Sequence, residues 1–342
     1  MPRDVPKVII FTSEDEARGS GHVSRQIEVA REFGKRGMGV TVVGKLSRSS
    51  ALRIKRLKNC EVVITEKAGL DSLLAASKEL FASDATEQWL ILDDYQLLKE
   101  NFSTSSTSGP RQIHFIDWPG CSPSAQIVVN AGCGRFSDVS CCDSGHGLHI
   151  CGTQAAIVGK RFRLLRYVRT KIPRIMRRLV LINFGASDAT DKSREFVDTV
   201  TKAKLGTKAW LILGKHYRGS LIPGRHLGGR VFVTRSQVQF WIGLVLAKLA
   251  IGGAGVSAFE RSFLGLPAIN FVLADNQKAI AALLSELGCS IDASGNFGED
   301  LVANIQRLSR NAEQLRSMTN MGKKYVDGLG AKRLAEVVAK FD

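Results

Sequence analysis

No apolar run in the sequence is long enough to cross a lipid bilayer. The longest, Phe240 to Ala247, falls far short of the roughly 20 residues that a membrane-spanning helix needs. The first ten residues carry charges at Arg3, Asp4 and Lys7 and lack the apolar core of a secretory signal, so we expect a cytoplasmic protein. Proline is scarce, with 8 residues in 342, and no biased tract suggests disorder. These absences leave a soluble, globular class of protein with a large core.

Acidic residues are outnumbered, because 32 Asp and Glu stand against 48 Lys and Arg and give a net charge of +16. This excess predicts attraction to an anionic partner, and nucleic acid, acidic lipid and phosphorylated metabolites all qualify. We interpret the basic run from Lys160 to Arg178 as an amphipathic segment with a solvated basic side, and we do not expect nucleic acid as the partner. An anionic membrane surface stays open, and no obligate protein partner is indicated.

Cysteines number seven, which is an odd count. Four of them lie in one region with two histidines: Cys133, Cys141, Cys142 and Cys151, near His146 and His149. Zinc sites usually draw on paired ligands a few residues apart, and that spacing is missing here. We therefore predict no metal site and no cofactor, and expect free thiols in a reducing compartment.

The first half of the chain alternates strand-like apolar runs with helical periodicity. KVIIFT (Lys7–Thr12) and GVTVVG (Gly39–Gly44) are predicted strands on either side of a helix from His22 to Gly34. Further strands are predicted from Glu61, Trp89, Gln112 and Gln126, and a further helix from Asp71 to Phe81. This alternation predicts a mostly parallel sheet with helices on both of its faces.

The same alternation restarts in the second half, after Pro173. Strands are predicted from Leu179, Ala209, Arg230, Lys248 and Ala268, and helices over 192–204, 236–247, 257–264 and 277–287, with more helices after them. We therefore predict an α/β fold of two doubly wound, Rossmann-like domains, residues 1–170 and 171–342. The last helix is a candidate to pack back on the first domain.

Each half has a glycine-rich turn between a strand and a helix, Gly19 to His22 and Gly252 to Gly255. Ligands of doubly wound sheets bind at the carboxyl ends of strands, where such turns let backbone amides approach phosphate. A third turn, Phe184 to Thr190, offers Ser187 and Asp188 at another helix start. Neither glycine turn matches the dinucleotide fingerprint or a P-loop, so NAD and ATP are disfavoured.

Five segments carry a resemblance to a known family. They are GSGHVSR (Gly19–Arg25), LDDYQL (Leu92–Leu97), NFGASD (Asn183–Asp188), AIGGAGVSAFERSFLGLPAIN (Ala250–Asn270) and ADNQ (Ala274–Gln277). In this order they resemble the UDP-sugar hydrolases of pseudaminic acid biosynthesis. Those enzymes release UDP from a diacetamido-trideoxy sugar and have the GT-B fold of nucleotide-sugar glycosyltransferases, with the active site in the cleft between two domains. The resemblance implies this fold, this reaction and a UDP-sugar substrate for the present chain.

The resemblance also implies that the second domain binds UDP. Its candidate residues are Gly253, Gly255, Val256, Ser257, Glu260, Asn276 and Gln277. Backbone amides of the first four would hold the diphosphate at a helix N-terminus, and the Glu260 carboxylate would accept hydrogen bonds from ribose hydroxyls. Asn276 and Gln277 would donate to the phosphate or the sugar. The alternatives are that Glu260 only complements the helix dipole and that Gln277 only caps the next helix.

In the first domain the resemblance makes His22 the catalytic residue, which activates the water that attacks the anomeric carbon. The helix N-terminus disfavours the charged imidazolium and would keep a neutral ring available as a base. Arg25 would pair with a phosphate or with Glu28. The further candidate substrate-binding residues are Gly19, Gly21, Asp94, Tyr95, Ser187 and Asp188. Asp93 and Asp94 are neighbours on a strand and point to opposite faces, so only one of them can face the substrate.

The sequence departs from the family pattern on the predicted sugar side. Trp118 follows Asp117 where the family usually carries a second aspartate, and the Gly-Pro-Tyr-Leu-Arg-rich family segment is only faintly visible in Ile150 to Arg166. A different sugar therefore stays open. Two other functions stay open as well, a GT-B glycosyltransferase that acts on an acceptor and a non-enzymatic binder of nucleotides or nucleic acid.

Overall fold

The computed structural model describes residues 7–14, 21–66, 88–99, 110–118, 122, 124–134, 147–202, 207–293 and 299–341. The chain divides into two compact units, residues 1–157 with 329–342 and residues 158–328. Each unit contains one seven-stranded sheet with helices around it. The predicted fold class, two doubly wound α/β domains, is confirmed.

The first sheet is wholly parallel in its described pairings. Its strands are β1 (Lys7–Thr12), β2 (Gly39–Gly44), β3 (Cys60–Ile64), β4 (Trp89–Asp93), β5 (Arg111–Phe115), β6 (Ile127–Asn130) and β7 (Leu148–Cys151). The helices described in this part of the chain are α1 (Gly21–Lys35), α2 (Arg48–Lys55) and α3 (Tyr95–Lys99), with a 3₁₀ turn at Gly152–Ala155. β1 and β4 are buried along nearly their whole length, as expected for central strands covered on both faces. The predicted helix from Asp71 to Phe81 lies outside the described residues.

The strand order of the first sheet is β3-β2-β1-β4-β5-β6-β7. The chain builds one side of the sheet from β1 to β3 and the other side from β4 to β7, so the direction of winding reverses between β1 and β4. These two strands pair in register, with Thr12 opposite Asp93. Doubly wound sheets bind ligands at the carboxyl ends of the strands beside such a switch point. The ends of β1 and β4 are therefore the place to search for a site in this unit.

The second sheet follows the same plan. Its strands are β8 (Leu179–Asn183), β9 (Ala209–Ile212), β10 (Gly224–His226), β11 (Val231–Thr234), β12 (Ala247–Gly253), β13 (Ala268–Phe271) and β14 (Ser290–Asp292). The order is β10-β11-β9-β8-β12-β13-β14, and β10 is antiparallel to β11 while the other described pairings are parallel. Its winding reverses between β8 and β12, where Gly252 lies opposite Asn183. The second glycine turn thus follows a strand at the switch point.

Seven helices are described in the second unit. They are α4 (Lys160–Lys171), α5 (Lys192–Lys202), α6 (Gln237–Leu246), α7 (Val256–Phe263), α8 (Lys278–Glu286), α9 (Glu299–Arg310) and α10 (Ala312–Tyr325). Short 3₁₀ turns lie at Arg174–Met176, Leu227–Gly229 and Asp275–Gln277. Among the described helices of either unit, none combines the length and the apolar character that a membrane span requires.

Helix α4 belongs to the second unit, although the sequence places the domain junction after it, at 170/171. Its buried Arg169 donates from Nη1 to three carbonyl oxygens at the end of α6, those of Leu244, Val245 and Ala247, over 2.8–3.0 Å. The last carbonyls of a helix lack partners inside it, so a buried donor stabilises that end. Phe162 on the same face of α4 is buried as well. These contacts join α4 to the second unit, so the division falls at 157/158.

A final helix, α11 (Gly330–Val338), belongs to the first unit and packs on α1. Leu334 and Ala335 are buried in the same apolar cluster as Ile27 and Phe33 of α1. The chain leaves this unit after Ile157 and returns at Leu329, and these two residues form an antiparallel bridge. The core of the first unit is therefore built from two distant stretches of the chain.

Candidate functional site

A cluster of charged side chains occupies the switch point of the first sheet. His22 and Arg25 lie in the first turns of α1, and Asp93 ends β4. The Nδ1 atom of His22 is 2.7 Å from Oδ1 of Asp93, and Arg25 donates from Nε to Oδ2 of Asp93 over 2.7 Å. Gln26 also donates to Oδ2, from Nε2 at 2.8 Å. The fully buried Asp93 side chain thus forms hydrogen bonds with three side chains of α1.

Arg25 joins two carboxylates in this cluster. Its Nη1 donates to both oxygens of Asp117, at 2.9 and 3.0 Å, and its Nη2 donates to Oδ1 of Asp93 at 2.5 Å. Burial alone would raise the pKa of Asp93, but the charge of Arg25 and the bond to His22 hold it well below its usual range. Asp93 is therefore ionised, and Arg25 is committed to the two aspartates. The pair with Glu28 that the sequence offered as an alternative is not formed, because Glu28 pairs with Arg31.

The ionised Asp93 fixes the proton of the His22 ring. A carboxylate oxygen 2.7 Å from Nδ1 requires a hydrogen on that nitrogen, so Nδ1 donates to Asp93 and does not accept from Arg25 Nη2, which lies 3.1 Å away. The lone pair of the neutral ring is then on Nε2. The His22 side chain is 11% exposed, whereas that of Asp93 is 0% exposed. This arrangement suits a general base that a small molecule can reach.

Tyr95 and Trp118 form an aromatic wall beside His22. The Tyr95 ring packs edge-on against the imidazole with centroids 4.6 Å apart, and against Trp118 with centroids 5.4 Å apart. The Tyr95 hydroxyl donates to Oδ2 of Asp117. Burial, together with the Asp117 carboxylate, raises the pKa of Tyr95, so the hydroxyl stays protonated as a donor. The wall restricts rotation of the imidazole ring.

Several candidate residues from the sequence are not part of the cluster around His22. Of the adjacent aspartates the sequence favours Asp94, but the structure brings Asp93 to His22, while the Asp94 carbonyl accepts the Leu98 amide of α3. Gly21 begins α1, and Gly19 lies outside the described residues. Asp93 and Asp117 are the residues that sequence reasoning did not assign. Their signal was available, since both follow or end strands near the switch point.

No group of three or more His, Cys, Asp or Glu side chains in the described part of the chain could hold a metal ion. Of the cysteine and histidine region, Cys133, Cys151 and His149 are described, and neither cysteine forms a disulfide with another described residue. Cys141, Cys142 and His146 lie outside the described residues.

In the second unit the glycine turn joins β12 to α7. A Cβ at Gly252 would lie 2.3 Å from the carbonyl oxygen of Asn183 on β8, so only glycine fits there. The buried guanidinium of Arg261 donates from Nη2 to the Gly253 carbonyl at 2.6 Å and to Oδ1 of Asn270 at 2.8 Å. Burial lowers the pKa of Arg261 to about 10, which still leaves it charged at neutral pH. Arg261 therefore stabilises the glycine turn through its hydrogen bond to the Gly253 carbonyl.

The Gln277 side chain also stabilises this glycine turn. Its Oε1 accepts from the backbone amides of Ala254 and Leu273, both at 3.1 Å, and it makes no side-chain capping bond to α8. The Ala254 amide also donates to Phe271, so it is already used. The first-turn amides of α7 at Val256 and Ser257 have no partner inside their own helix because of helix geometry. They are the amides best placed to meet an anion.

Asn276 is half-buried in the 3₁₀ turn that precedes α8, and Ser187 is half-buried after β8. Asp188 has a structural task, since its two carboxylate oxygens accept the amides of Lys192 at 2.9 Å and Ser193 at 2.8 Å at the start of α5. These bonds cap the helix. The Asp188 carboxylate therefore has a structural role at the start of α5 that does not depend on a substrate.

Glu260 is half-buried and lines a recess with Asn183, Ser257 and Arg261. It is the fifth residue of α7, and the first turn of that helix has no acidic residue. A carboxylate complements a helix dipole mainly from the first turn. The position therefore gives little support to the dipole alternative.

No family model matches the chain, and no curated protein sequence matches it. Solved structures do match along nearly the whole chain. MurG from Acinetobacter baumannii is 14% identical, with a TM-score of 0.64 over 98% of this chain and 100% of that one. The glycotransferase of kitacinnamycin is 17% identical, with a TM-score of 0.68 over 99% of both chains. UGT2 of Phytolacca americana, complexed with UDP-2fluoro-glucose and pterostilbene, is 13% identical, with a TM-score of 0.64 over 98% of this chain and 99% of that one.

At these identities the likeness concerns the fold, and it favours neither hydrolysis nor glycosyl transfer. The match covers 99–100% of each of the three similar chains. With its two doubly wound sheets, the chain has the GT-B fold of nucleotide-sugar glycosyltransferases.

Proposed function

We propose that the chain is an enzyme that hydrolyses a UDP-linked amino sugar of the diacetamido-trideoxy type and releases UDP and the free sugar. The observation that carries this proposal is the contact between His22 and the ionised Asp93 at the switch point of the first sheet. It supplies a base of fixed tautomer, and the resemblance of the surrounding sequence to UDP-sugar hydrolases supplies the substrate class. We assign the UDP moiety to the glycine turn of the second unit.

The chemistry needs one base and a stabilised leaving group. His22 Nε2 takes a proton from water while the water oxygen forms a bond to the anomeric carbon, and Asp93 stabilises the positive charge that develops on the ring. The bond between the anomeric carbon and the diphosphate oxygen breaks, and UDP leaves with the electron pair. The amides of Val256 and Ser257 would stabilise the negative charge on the diphosphate.

Uridine nucleotides are the ligands to test first. The similar Phytolacca protein was complexed with a UDP sugar, and the present chain presents the first-turn amides of α7 and a half-buried carboxylate, Glu260, close to them. A thermal-shift screen of UDP, CMP, GDP and dTDP is expected to show the largest stabilisation with UDP, about 2.7 kcal/mol at 100 times the dissociation constant. Stabilisation only by nucleotides without uridine would contradict the proposal.

Glycosyl transfer is the second candidate, because two of the three similar structures are named as a glycotransferase and a UGT. The same His22–Asp93 pair could deprotonate an acceptor hydroxyl in place of water. Turnover in ¹⁸O-labelled water separates the two reactions, since hydrolysis places the label on the anomeric carbon of the released sugar. A labelled free sugar supports hydrolysis, and an unlabelled glycoside formed on an added acceptor supports transfer. Absence of UDP release from every nucleotide-activated amino sugar would remove both.

Glu260→Ala is expected to weaken UDP binding by roughly 10-fold or more, the effect of losing hydrogen bonds between a carboxylate and ribose hydroxyls. The same variant should bind 2′,3′-dideoxy-UDP as the unaltered protein does, because that ligand offers no ribose hydroxyls. Calorimetric titration of both ligands measures the difference. Glu313→Ala is the matched control, since Glu313 is an exposed glutamate in the first turn of α10. Equal losses for the two ligands would show that Glu260 does not contact the ribose.

A further inference from the structure

The outer face of α4 and the turn after it is unusually apolar for a surface. Leu164 and Tyr167 on α4 are exposed, and Ile175 and Met176 in the 3₁₀ turn are 73% and 63% exposed. Neighbouring α6 adds an exposed Val238. We call these five side chains the apolar face. Clustered exposed side chains of this kind mark interaction surfaces more often than scattered ones do.

The surroundings of the apolar face are strongly cationic. Residues 160–178 contain nine Lys and Arg and no Asp or Glu, and α6 contains no charged residue. Three of the nine basic residues are not fully exposed, since Arg169 is buried and Arg166 and Arg177 are half-buried. The outward ones include Lys160, Arg163 and Lys171 on α4, all exposed. Exposed apolar side chains and exposed cations therefore occur together in this short segment.

We propose that the apolar face docks on an anionic lipid surface. Aliphatic side chains gain free energy by entering the boundary between headgroups and acyl chains, and flanking Lys and Arg gain from the negative potential of anionic headgroups. The two contributions act together here because the exposed apolar residues and the exposed cations share one short segment. No helix needs to span the bilayer for this attachment.

Two other occupants fit the same observations less well. A second copy of the chain would bring two segments of nine cations together, and with no acidic residue in 160–178 or α6 to pair with, the repulsion would oppose association. A nucleic acid would contact the cations, but it offers little to exposed aliphatic side chains such as Ile175 and Met176, since its affinity rests on phosphate contacts and base stacking.

Flotation of the full chain with vesicles tests the proposal. Vesicles of phosphatidylcholine are compared with vesicles that contain phosphatidylglycerol in increasing proportion, at two salt concentrations. We expect binding that rises with the anionic fraction and falls with salt. Lys160→Gln with Lys171→Gln should weaken it roughly 30-fold, because each lysine near an anionic surface contributes a factor of about five. Lys202→Gln with Lys208→Gln, two exposed lysines outside the segment, is the matched control.

The apolar contribution is tested with Ile175→Ser and Met176→Ser together. Ile222→Ser is the matched control, because Ile222 is also 73% exposed but lies on another loop. All these side chains are exposed, so melting temperatures should stay close to that of the unaltered protein. We expect loss of vesicle binding for the face variant and none for the control. Equal binding to neutral vesicles, no binding to anionic ones, or an unchanged face variant would overturn the proposal. It would also be overturned by sedimentation showing a dimer that the face variant dissociates, or by salt-sensitive oligonucleotide binding in place of vesicle binding.

Discussion

His22→Ala is expected to slow UDP release from a UDP-linked amino sugar by about 10²- to 10⁴-fold, the range that a positioned general base contributes. UDP affinity should stay unchanged, because UDP is assigned to the other unit. Steady-state kinetics with a coupled assay for UDP, together with calorimetry, measures the two quantities. His226→Ala is the control, since His226 is a half-buried histidine whose ring contacts a backbone carbonyl of the second unit. An unchanged rate in His22→Ala would show that the imidazole is not the base and only packs against Tyr95.

Asp93→Asn tests whether the negative charge of Asp93, and not only its position beside His22, contributes to the rate. The amide has nearly the shape of the carboxylate but cannot stabilise the imidazolium that forms when His22 takes a proton. We expect a fall in kcat with little change in KM, because the contribution is made as the proton moves. Circular dichroism and a melting curve establish that the variant is folded. An unchanged kcat would show that Asp93 only holds Arg25 and Gln26 in place.

Arg25→Met is expected to lower the free energy of unfolding by about 3–5 kcal/mol, because it leaves Asp93 and Asp117 as buried charges without their shared cation. Urea denaturation at neutral pH measures this loss. Arg194→Met on α5 is the matched control. Arg194 pairs with Asp198 four residues on, and the two side chains are 48% and 50% exposed, so this pair contributes only about 0–1 kcal/mol. Similar losses in the two variants would contradict a special role for the buried cluster.

The loss in Arg25→Met should also depend on pH. In the unaltered protein the pKa of Asp93 is held below its unfolded value of about 3.9, so its stabilising contribution is present above that value and is lost as pH falls. In the variant, burial without a cation would raise the same pKa above the unfolded value, so protonation would relieve the destabilisation on acidification. The difference in unfolding free energy should therefore narrow below pH 5. A deficit that is constant with pH would point to lost packing instead of uncompensated charge.

Much of the fold follows from patterns that a single sequence displays. β1 and β2 are apolar runs bounded by turn residues, and their predicted limits match the structure. The elements that sequence reasoning missed include the strands β7, β10 and β14, which have three or four residues each. They also include the helices α2, which carries few apolar positions, and α3, which has only five residues. Such short elements are specified by the strands they pair with, so their own residues give little periodicity to detect.

The candidate site was predictable in part. The resemblance of the glycine turn and helix around His22 to UDP-sugar hydrolases implies its catalytic role, and that signal is local in the sequence. Its partner Asp93 lies 71 residues away, and the contact exists because β4 pairs beside β1 at the switch point. Asp117 lies 92 residues from Arg25 and follows β5, the next strand in the sheet. Strand order decides which carboxylate meets which helix, and order between strands is a tertiary property that hydrophobic periodicity does not encode.

The crossing of the chain at Ile157 and Leu329 sets an order of assembly during translation. The second unit is one continuous stretch, residues 158–328, and it can close its core while the ribosome is still extending the chain. The first unit has to wait, because Leu334 and Ala335, which complete its core, are translated after the whole of the second unit. Until then the face of α1 that receives α11 is open to water. The unit that carries His22 is therefore the first to be translated and the last to complete its core.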